Sequence, residues 1–582
     1  LSSDTYNKNG LDSADCGEPS IGLGPMTYDF ADHKARQNGS LYRDEVDMRC
    51  TGLVTIPRAL LAGVLLIGSN AASAQTVLQP QKMAAIGQVD PRFVSYNIEA
   101  VEVTGGRFWK PYSAELESRL AESAQKKTSE NGPAGMDPSL FQYRPPIDLK
   151  NPRLRKLAAA LGPAYVRVSG TWMNGTHFQN DDQPSQPTPP KGFRGVMTRA
   201  QWKGVVDFSH AVGADIVTSV AISDGTRDQN GVWMPNEAKA FFDYTKQIGG
   251  RIAATEFMNE PTFAIIGGAP QGYDAAAFAR DTKAFRSFLR SESPDTIFLG
   301  PGSVGEGVSL VPGGGGSKLQ TLNTDDLMKA AGPVFDAFSY HFYGTVSRRC
   351  TATLEPKAGM RAEDALSPEW FERNLTVEGF YAKLRDAYLP GKDMWLTETG
   401  EAACGGDPWA ADFIDSFRYL DQLGTLAQKS VKTVMQNTLA SSDYGLLDEE
   451  TLEPRPNYWA ALLWKKTMGS RVLDPGIKPT ATFKVFAQCM KDSKGGVSAL
   501  VMNLNRSSDQ SLEVPLAGER YTLSAPELLS KAVSLNGEAL KVAEDGTLPA
   551  IKGQQIEAGK LVLPPLTITF VTMPKAENPS CK

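Results

Sequence analysis

Two glutamates set in short apolar runs are the residues of this chain best placed to do chemistry. Glu260 closes the run Glu256-Phe257-Met258-Asn259-Glu260, directly before Pro261. Glu398 lies in Trp395-Leu396-Thr397-Glu398-Thr399-Gly400. Paired carboxyl groups on either side of a sugar can hydrolyse a glycosidic bond, one giving a proton to the leaving oxygen and the other attacking the anomeric carbon. A gap of about 5–5.5 Å between them makes the reaction retaining, through a covalent glycosyl-enzyme. In that scheme Glu260 is the general acid/base and Glu398 the nucleophile, whose negative charge keeps Glu260 protonated until it is needed. Asn259 can then bond the sugar hydroxyl next to the anomeric carbon. A single Glu at a strand end is as often a solvated surface residue. Glu256, four residues deeper, reads as a buried, paired carboxylate, and Glu401 as the weaker rival to Glu398.

Such a pair needs a frame that points both carboxyls at one spot. From about residue 93 to 440, short apolar segments alternate with amphipathic ones, the pattern of repeated βα units closing on a parallel barrel. Eight strands are expected, at 93–101, 164–170, 215–223, 251–260, 296–303, 335–344, 393–400 and 430–439. Helical runs with apolar residues recurring at three and four separate them, such as 152–162, 236–249, 275–292 and 409–428. Glu260 then closes the fourth strand and Glu398 the seventh, both at the C-terminal face where barrel enzymes carry their catalytic groups. Beyond a last helix at 458–469 the pattern turns to short alternating strands, which predicts a β-sandwich. The expected fold class is α/β, a (β/α)8 TIM barrel over 93–469 with a C-terminal β-sandwich over 470–582, to which the segment 75–92 adds a strand.

Composition narrows the partners. A net charge of −6 and a pI near 5.6 speak against nucleic acid, which needs an excess of Lys and Arg on one face. From Met48 the chain has the layout of an export signal: Arg49 and Arg58, the apolar run 59–68, and small residues ending Ala72-Ser73-Ala74. Cleavage is expected after Ala74. The apolar run is too short for a permanent membrane span, so no stable anchor is expected. Residues 1–47 then read as an upstream extension, and without the 6 basic and 9 acidic residues up to Ala74 the net charge is −3. The expected location is secreted or periplasmic. Cys350, Cys404, Cys489 and Cys581 remain in the exported part and can pair in three ways. No spacing suggests a metal site, and no cofactor is expected.

The sequence resembles glycoside hydrolase family 79, the heparanase-like β-glucuronidases of clan A. The resemblance rests on TEFMNEPTF around Glu260 and WLTETGEAACGG around Glu398, and extends through AYVRVSGT (164–171), LGPGSVGEG (299–307), YHFYG (340–344), SSDYGLLDEETLEPRPNYWAALLWKK (441–466) and SKAVSLNGEAL (530–540). It implies a retaining barrel enzyme acting on β-linked glucuronic acid, at a chain end or within a polymer. Residue by residue, it implies acid/base and nucleophile roles for Glu260 and Glu398, and contact between Tyr343 and the nucleophile. Gly405 and Gly406 would offer backbone N–H groups to the uronic carboxylate, and Tyr444 a hydroxyl. Glu99 and Thr171 would contact sugar hydroxyls. The resemblance also implies a Cys489–Cys581 disulfide, leaving Cys350 and Cys404 to pair on the active face.

The chain departs from the family after the second strand, where TWMNGTHFQNDDQ (171–183) replaces the lysines that heparanases set out for sulfates. That leaves the degree of sulfation open. The alternatives are another retaining barrel glycosidase, of xylosidase or arabinofuranosidase type, and a catalytically dead glycan-binding protein.

Overall fold

The computed structural model describes residues 76–123, 138–186, 188–308, 322–350 and 360–582. The expected export signal at 48–74 and the upstream stretch 1–47 lie outside these residues.

Eight parallel strands close into a barrel: Val94–Glu99, Ala164–Ser169, Ala214–Thr218, Ile252–Glu256, Ile297–Ser303, Ala337–Val346, Met394–Ala403 and Val434–Gln436. Each pairs with its neighbours in chain order, and the last pairs with the first. All eight overlap the segments read as strands, three of them running past the expected ends, to Ala214, Val346 and Ala403. The helices between them follow the three-and-four spacing closely, for example Pro152–Ala160, Asn236–Gln247 and Ala275–Glu292. Side-chain caps fix several helix starts: Asn151 accepts from the N–H groups of Arg153 and Leu154, and Asp274 from that of Ala277.

Because strand side chains alternate, residues two apart share the barrel interior. Near the N-terminal end the interior is apolar, with Tyr165, Val217, Ala254, Leu299, Ala337, Trp395 and Met435 in one cluster. Two residues further along, the same strands present Arg167, Glu256, Ser339 and Thr397. The lower barrel is therefore a packed plug and the upper barrel a polar floor.

Strand seven changes parity at the site. Tyr340 pairs with Leu396 but His341 pairs with Glu398, so the register slips by one residue at Thr397. A one-residue slip moves the following side chains to the other face. Here it lets two consecutive residues, Thr397 and Glu398, both bond to groups inside the barrel.

Two positions differ from the sequence reading. Strand four ends at Glu256, and Glu260 lies beyond it with a left-handed backbone (φ 49°), capping a single turn Pro261–Phe263. Strand seven runs on to Ala403, so Glu398 is inside it rather than at its end. Pro261 has no N–H to give a ladder, but the strand has already stopped at Glu256.

Beyond the last helix, Pro456–Thr467, antiparallel strands form the C-terminal sheets, with Phe483–Met490, Val497–Asn503, Thr567–Met573 and Gly518–Ser524 side by side. Their inner residues, including Val485, Val501, Leu512, Leu561 and Val571, make a second core. The segment before the barrel joins these sheets twice: Thr76–Val77 pairs with Leu512 and Glu513, and Ala85–Gln88 with Arg471–Leu473. The Cys489–Cys581 disulfide lies in this part.

One insertion was not anticipated. After strand one, Gly106–Trp109 and Phe141–Arg144 form an antiparallel hairpin. Its Phe108, Trp109 and Phe141 pack with Val346 and Cys350 at the end of strand six, so this hairpin reaches across the barrel mouth.

Candidate active site

Arg167 is the centre of the site, and it came from an unlikely place: a charged residue in the buried strand Ala-Tyr-Val-Arg-Val-Ser, only 1% exposed. Its guanidinium donates to Glu256 Oε2 at 2.9 Å, to Glu398 Oε2 at 2.8 Å and to Asn259 Oδ1 at 2.8 Å. A planar fork with five donors suits three acceptors held in different directions, which a lysine could not serve. Glu256 is fully saturated, since Ser339 and Thr397 hydroxyls each donate to its Oε1 at 2.8 Å. Burial alone would raise this carboxyl, but Arg167, His341 and Ser339 outweigh it and hold Glu256 well below the usual carboxylate range. It is thus the permanent counter-charge to Arg167.

The two expected catalytic carboxyls stand above this floor. Glu398 accepts from Arg167 through one oxygen and from the Tyr343 hydroxyl through the other, at 2.7 Å. Both oxygens are fixed, so the carboxylate has one orientation. Glu260 Oε1 lies 3.1 Å from His341 Nδ1. One oxygen each of Glu260 and Glu398 and a nitrogen of His341 lie within 4.8 Å of one another. That approach of single oxygens is closer than the about 6.5–9.5 Å separation of an inverting pair and fits a retaining one.

Electrostatics separate the two roles. Burial raises the Glu260 carboxyl, His341 partly lowers it, and the adjacent Glu398 raises it again, for a net upward shift. His341 is buried, which alone would lower its imidazole. Glu398 and the bonds to Glu256 and Glu260 overcome that and lift it to about 9. A buried imidazolium therefore balances a cluster of three carboxyls that Arg167 alone cannot neutralise.

A third residue that sequence reasoning missed is Asn437, at the end of strand eight. Its Nδ2 lies 3.1 Å from Glu99 Oε1, 3.0 Å from the Tyr343 hydroxyl and 3.2 Å from the Tyr444 hydroxyl. It ties four expected site residues, Glu99, Tyr343, Tyr444 and, through Tyr343, Glu398, into one network. Glu99 also begins the helix Ala100–Thr104 with a reciprocal capping box to Glu102. Burial, then Glu398, pushes the Glu99 carboxyl well up. Its Oε2 has no protein partner although buried, and neither has Asn437 Oδ1. Gly170 leaves space for that oxygen: a Cβ there would stand 1.6 Å from Glu99 Oε2.

Asn259 and Thr171 complete the opposite wall. Asn174 clamps the backbone of Asn259 from both sides, accepting from its N–H at 2.8 Å and donating to its carbonyl at 3.0 Å. Asn259 Nδ2 lies 3.4 Å from Thr171 Oγ1. These contacts hold the unusual backbone just before Glu260.

Gly405 and Gly406 follow strand seven, both with positive φ (84° and 79°). A Cβ on Gly405 would strike Trp109 at 2.8 Å, and one on Gly406 would press on the Tyr444 backbone N at 3.1 Å. This loop is held from beneath by Arg349, which is fully buried. Its guanidinium donates to the carbonyls of Gly406 and Lys110 at 2.8 Å each and pairs with Asp443 at 2.5 Å. The Cys350–Cys404 disulfide pins the same loop to the end of strand six. The Gly406 N–H donates to the Ala402 carbonyl at 3.2 Å, so of the two glycines only Gly405 is offered without that commitment. Glu401 lies below, accepting from the Asp407 N–H at 2.9 Å, and does not join the catalytic pair.

Residues 145–424 match the family model described as Glycosyl hydrolase family 79, N-terminal domain. The chain is similar to heparanase of Mus musculus, 28% identical over 499 residues, covering 74% of this chain and 88% of that protein. It is also similar to hyaluronoglucuronidase of Hirudo nipponia, 25% identical over 490 residues, covering 75% and 92%. Among solved structures, a 4-O-alpha-L-rhamnosyl-beta-D-glucuronidase from Fusarium oxysporum 12S superposes with a TM-score of 0.54 at 13% identity, over 86% of this chain and 99% of that one. That last likeness is one of fold.

Proposed function

We propose that this chain, a glycoside hydrolase of the family 79 heparanase-like type, cleaves β-linked glucuronic acid by double displacement, with Glu260 as acid/base and Glu398 as nucleophile. The observation that carries the reading is the spacing and holding of the two carboxyls: one oxygen of each within 4.8 Å of the other, one group fixed by Arg167 and Tyr343, the other raised and bonded to His341. Protonated Glu260 gives its proton to the glycosidic oxygen as Glu398 bonds to the anomeric carbon. In the second step Glu260 takes a proton from water, whose oxygen displaces Glu398.

The uronic acid is read from the wall beside the nucleophile. Its carboxylate would meet the Gly405 N–H, on a loop that Arg349 and a disulfide hold, and the Tyr444 hydroxyl, which comes after strand eight. Glu99 Oε2 and Asn437 Oδ1, buried acceptors with no protein partner, suit sugar hydroxyls. The names of the relatives, heparanase and hyaluronoglucuronidase, are in keeping with a glucuronide-bearing glycan as substrate.

Export goes with two disulfides, which persist in oxidising compartments, and among the described residues no helix is long and apolar enough to cross a membrane. The segments 75–92, 93–469 and 470–582 serve as sandwich strands, catalytic barrel and sandwich. Aryl β-glucuronide and aryl β-xyloside tested side by side decide the sugar. Turnover of the glucuronide is expected; turnover of the xyloside alone overturns it and favours the xylosidase or arabinofuranosidase type.

A further inference from the structure

At the end of the barrel opposite the catalytic pair there is a crevice of about 750 Å³. It lies between the start of strand one, the end of the last helix and the sandwich, with the Cys489–Cys581 disulfide in its wall. Its charge is unlike the rest of this acidic protein. Lys465, Arg471, Lys491, Lys494 and Lys582 line it, against Asp90 and Asp492.

None of these five cations makes an ion pair among the described residues, whereas nearly every buried cation elsewhere does, Arg167, Arg227, Arg349 and Arg418 included. Lys465 is 7% exposed, and its ammonium donates only to the carbonyl of Pro163. Lys491 is turned toward it, donating to the Lys465 carbonyl at 3.0 Å. Burial, then Lys491, lowers the Lys465 ammonium to about 7, with Asp90 opposing and Arg92 adding to the effect. Lys465 thus lies buried beside a second cation with no carboxylate bonded to it, and an incoming anion would favour its charged form. The other cations are spread round the mouth, so the anion it suits is extended and carries several charges.

We infer that this crevice is a second, non-catalytic site that binds the carboxylate or sulfate groups of an acidic polysaccharide. The polymer is the one whose uronic acid is cleaved at the other end of the barrel, so this part rests on the proposed function. The stretch 171–183, after strand two, carries no lysine or arginine to grip such a polymer. The basic crevice supplies the grip away from the chemistry, raising the local concentration of chain near the mouth.

The test uses the exposed rim, not the buried lysine. In one variant Arg471→Gln and Lys494→Gln are combined; in a second both become Glu. Melting temperature and turnover of aryl β-glucuronide are measured first. Binding of unsulfated heparosan and of heparin oligosaccharides is then measured on the Glu398→Gln background at low salt, and hydrolysis of polymeric heparosan on the active background. We expect affinity to drop about fivefold for the Gln pair and further for the Glu pair, and polymer KM to rise accordingly with aryl glucuronide kinetics unchanged. Loss with heparosan as well as heparin assigns carboxylates as ligands; loss with heparin alone assigns sulfates. Unchanged polymer binding in both variants overturns the site, and so does an equal fall in aryl glucuronide turnover. Absence of glucuronide turnover in the parent, with polymer binding still lost in the variants, would sink the proposed function and leave the site standing.

Discussion

The polar floor of the barrel and the loop after strand seven solve the same problem, holding polar groups at a sugar, in opposite ways. On the floor, Arg167, Glu256, Ser339, Thr397 and His341 come from strands and bond mainly through side chains, with both oxygens of Glu256 and of Glu398 engaged. In the loop, the offered groups are backbone, and the holding is done by one buried arginine and one disulfide. The first arrangement fixes reacting atoms to within the small tolerance that proximity catalysis needs. The second shapes a recess whose chemistry is set by what has no side chain. If the proposed function holds, reaction and sugar selection are carried by different parts, and substitutions in each should fail differently.

The largest effect is expected from Arg167→Met. It strands Glu256 as a buried charge and releases Glu398, costing about 3–5 kcal/mol of stability together with nearly all turnover. Denaturant unfolding and kcat measure the two; a stable, active variant would show that the floor is not the organising element. Next, Cys350→Ser with Cys404→Ser should cost about 2–4 kcal/mol, yet act on catalysis through KM and the preference for glucuronide over the neutral glucoside. A fall in kcat at unchanged KM would mean that loop and floor are one unit.

Tyr343→Phe removes one bond to the nucleophile and should lower kcat by about ten- to a hundredfold, as the loss of a charge-assisted hydrogen bond does, with little change in melting temperature. Tyr444→Phe, against that loop, is the matching variant on the uronate side, with an expected loss of about fivefold in kcat/KM for glucuronide and none for glucoside.

The pH dependence is the smallest test. Because the Glu260 carboxyl is raised, activity should persist to higher pH than an ordinary carboxyl would allow and then fall as it loses its proton. His341 has its folded pKa lifted from 6.5 to about 9, so its charge stabilises the fold fully below pH 6.5 and the benefit is lost as pH rises toward 9. The melting temperature should decline across that window, and His341→Gln should flatten the decline.

Much of this was legible in the sequence. Period-two and three-to-four spacing located all eight barrel strands, and the sandwich strands such as Val497–Asn503, because burial dictates those patterns. A carboxylate before Pro261 and another in an apolar strand were enough to single out Glu260 and Glu398, which the fold brings together. Arg167 was visible as the one cation in an apolar strand and could have been taken as the partner of two acids. The register slip at Thr397 was not visible, since it depends on how strand seven meets strand six. Nor was the hairpin of Gly106–Trp109 with Phe141–Arg144, whose two halves are separated by a long stretch of chain. The loop's support was half legible: a cysteine pair signals itself, whereas Arg349 in Ser-Arg-Arg-Cys looks like any surface arginine.

The central claim, that Glu398 forms a bond to the sugar while Glu260 moves the proton, is tested most directly by trapping. A 2-deoxy-2-fluoro-β-glucuronyl fluoride loses fluoride on attack by the nucleophile, and its glycosyl-enzyme turns over slowly. Intact mass should rise by one fluoroglucuronyl group, and peptide sequencing should place it on Glu398, with no labelling of Glu398→Gln. A label on Glu260 or Glu401, or turnover of the parent with no adduct formed, would contradict the assignment.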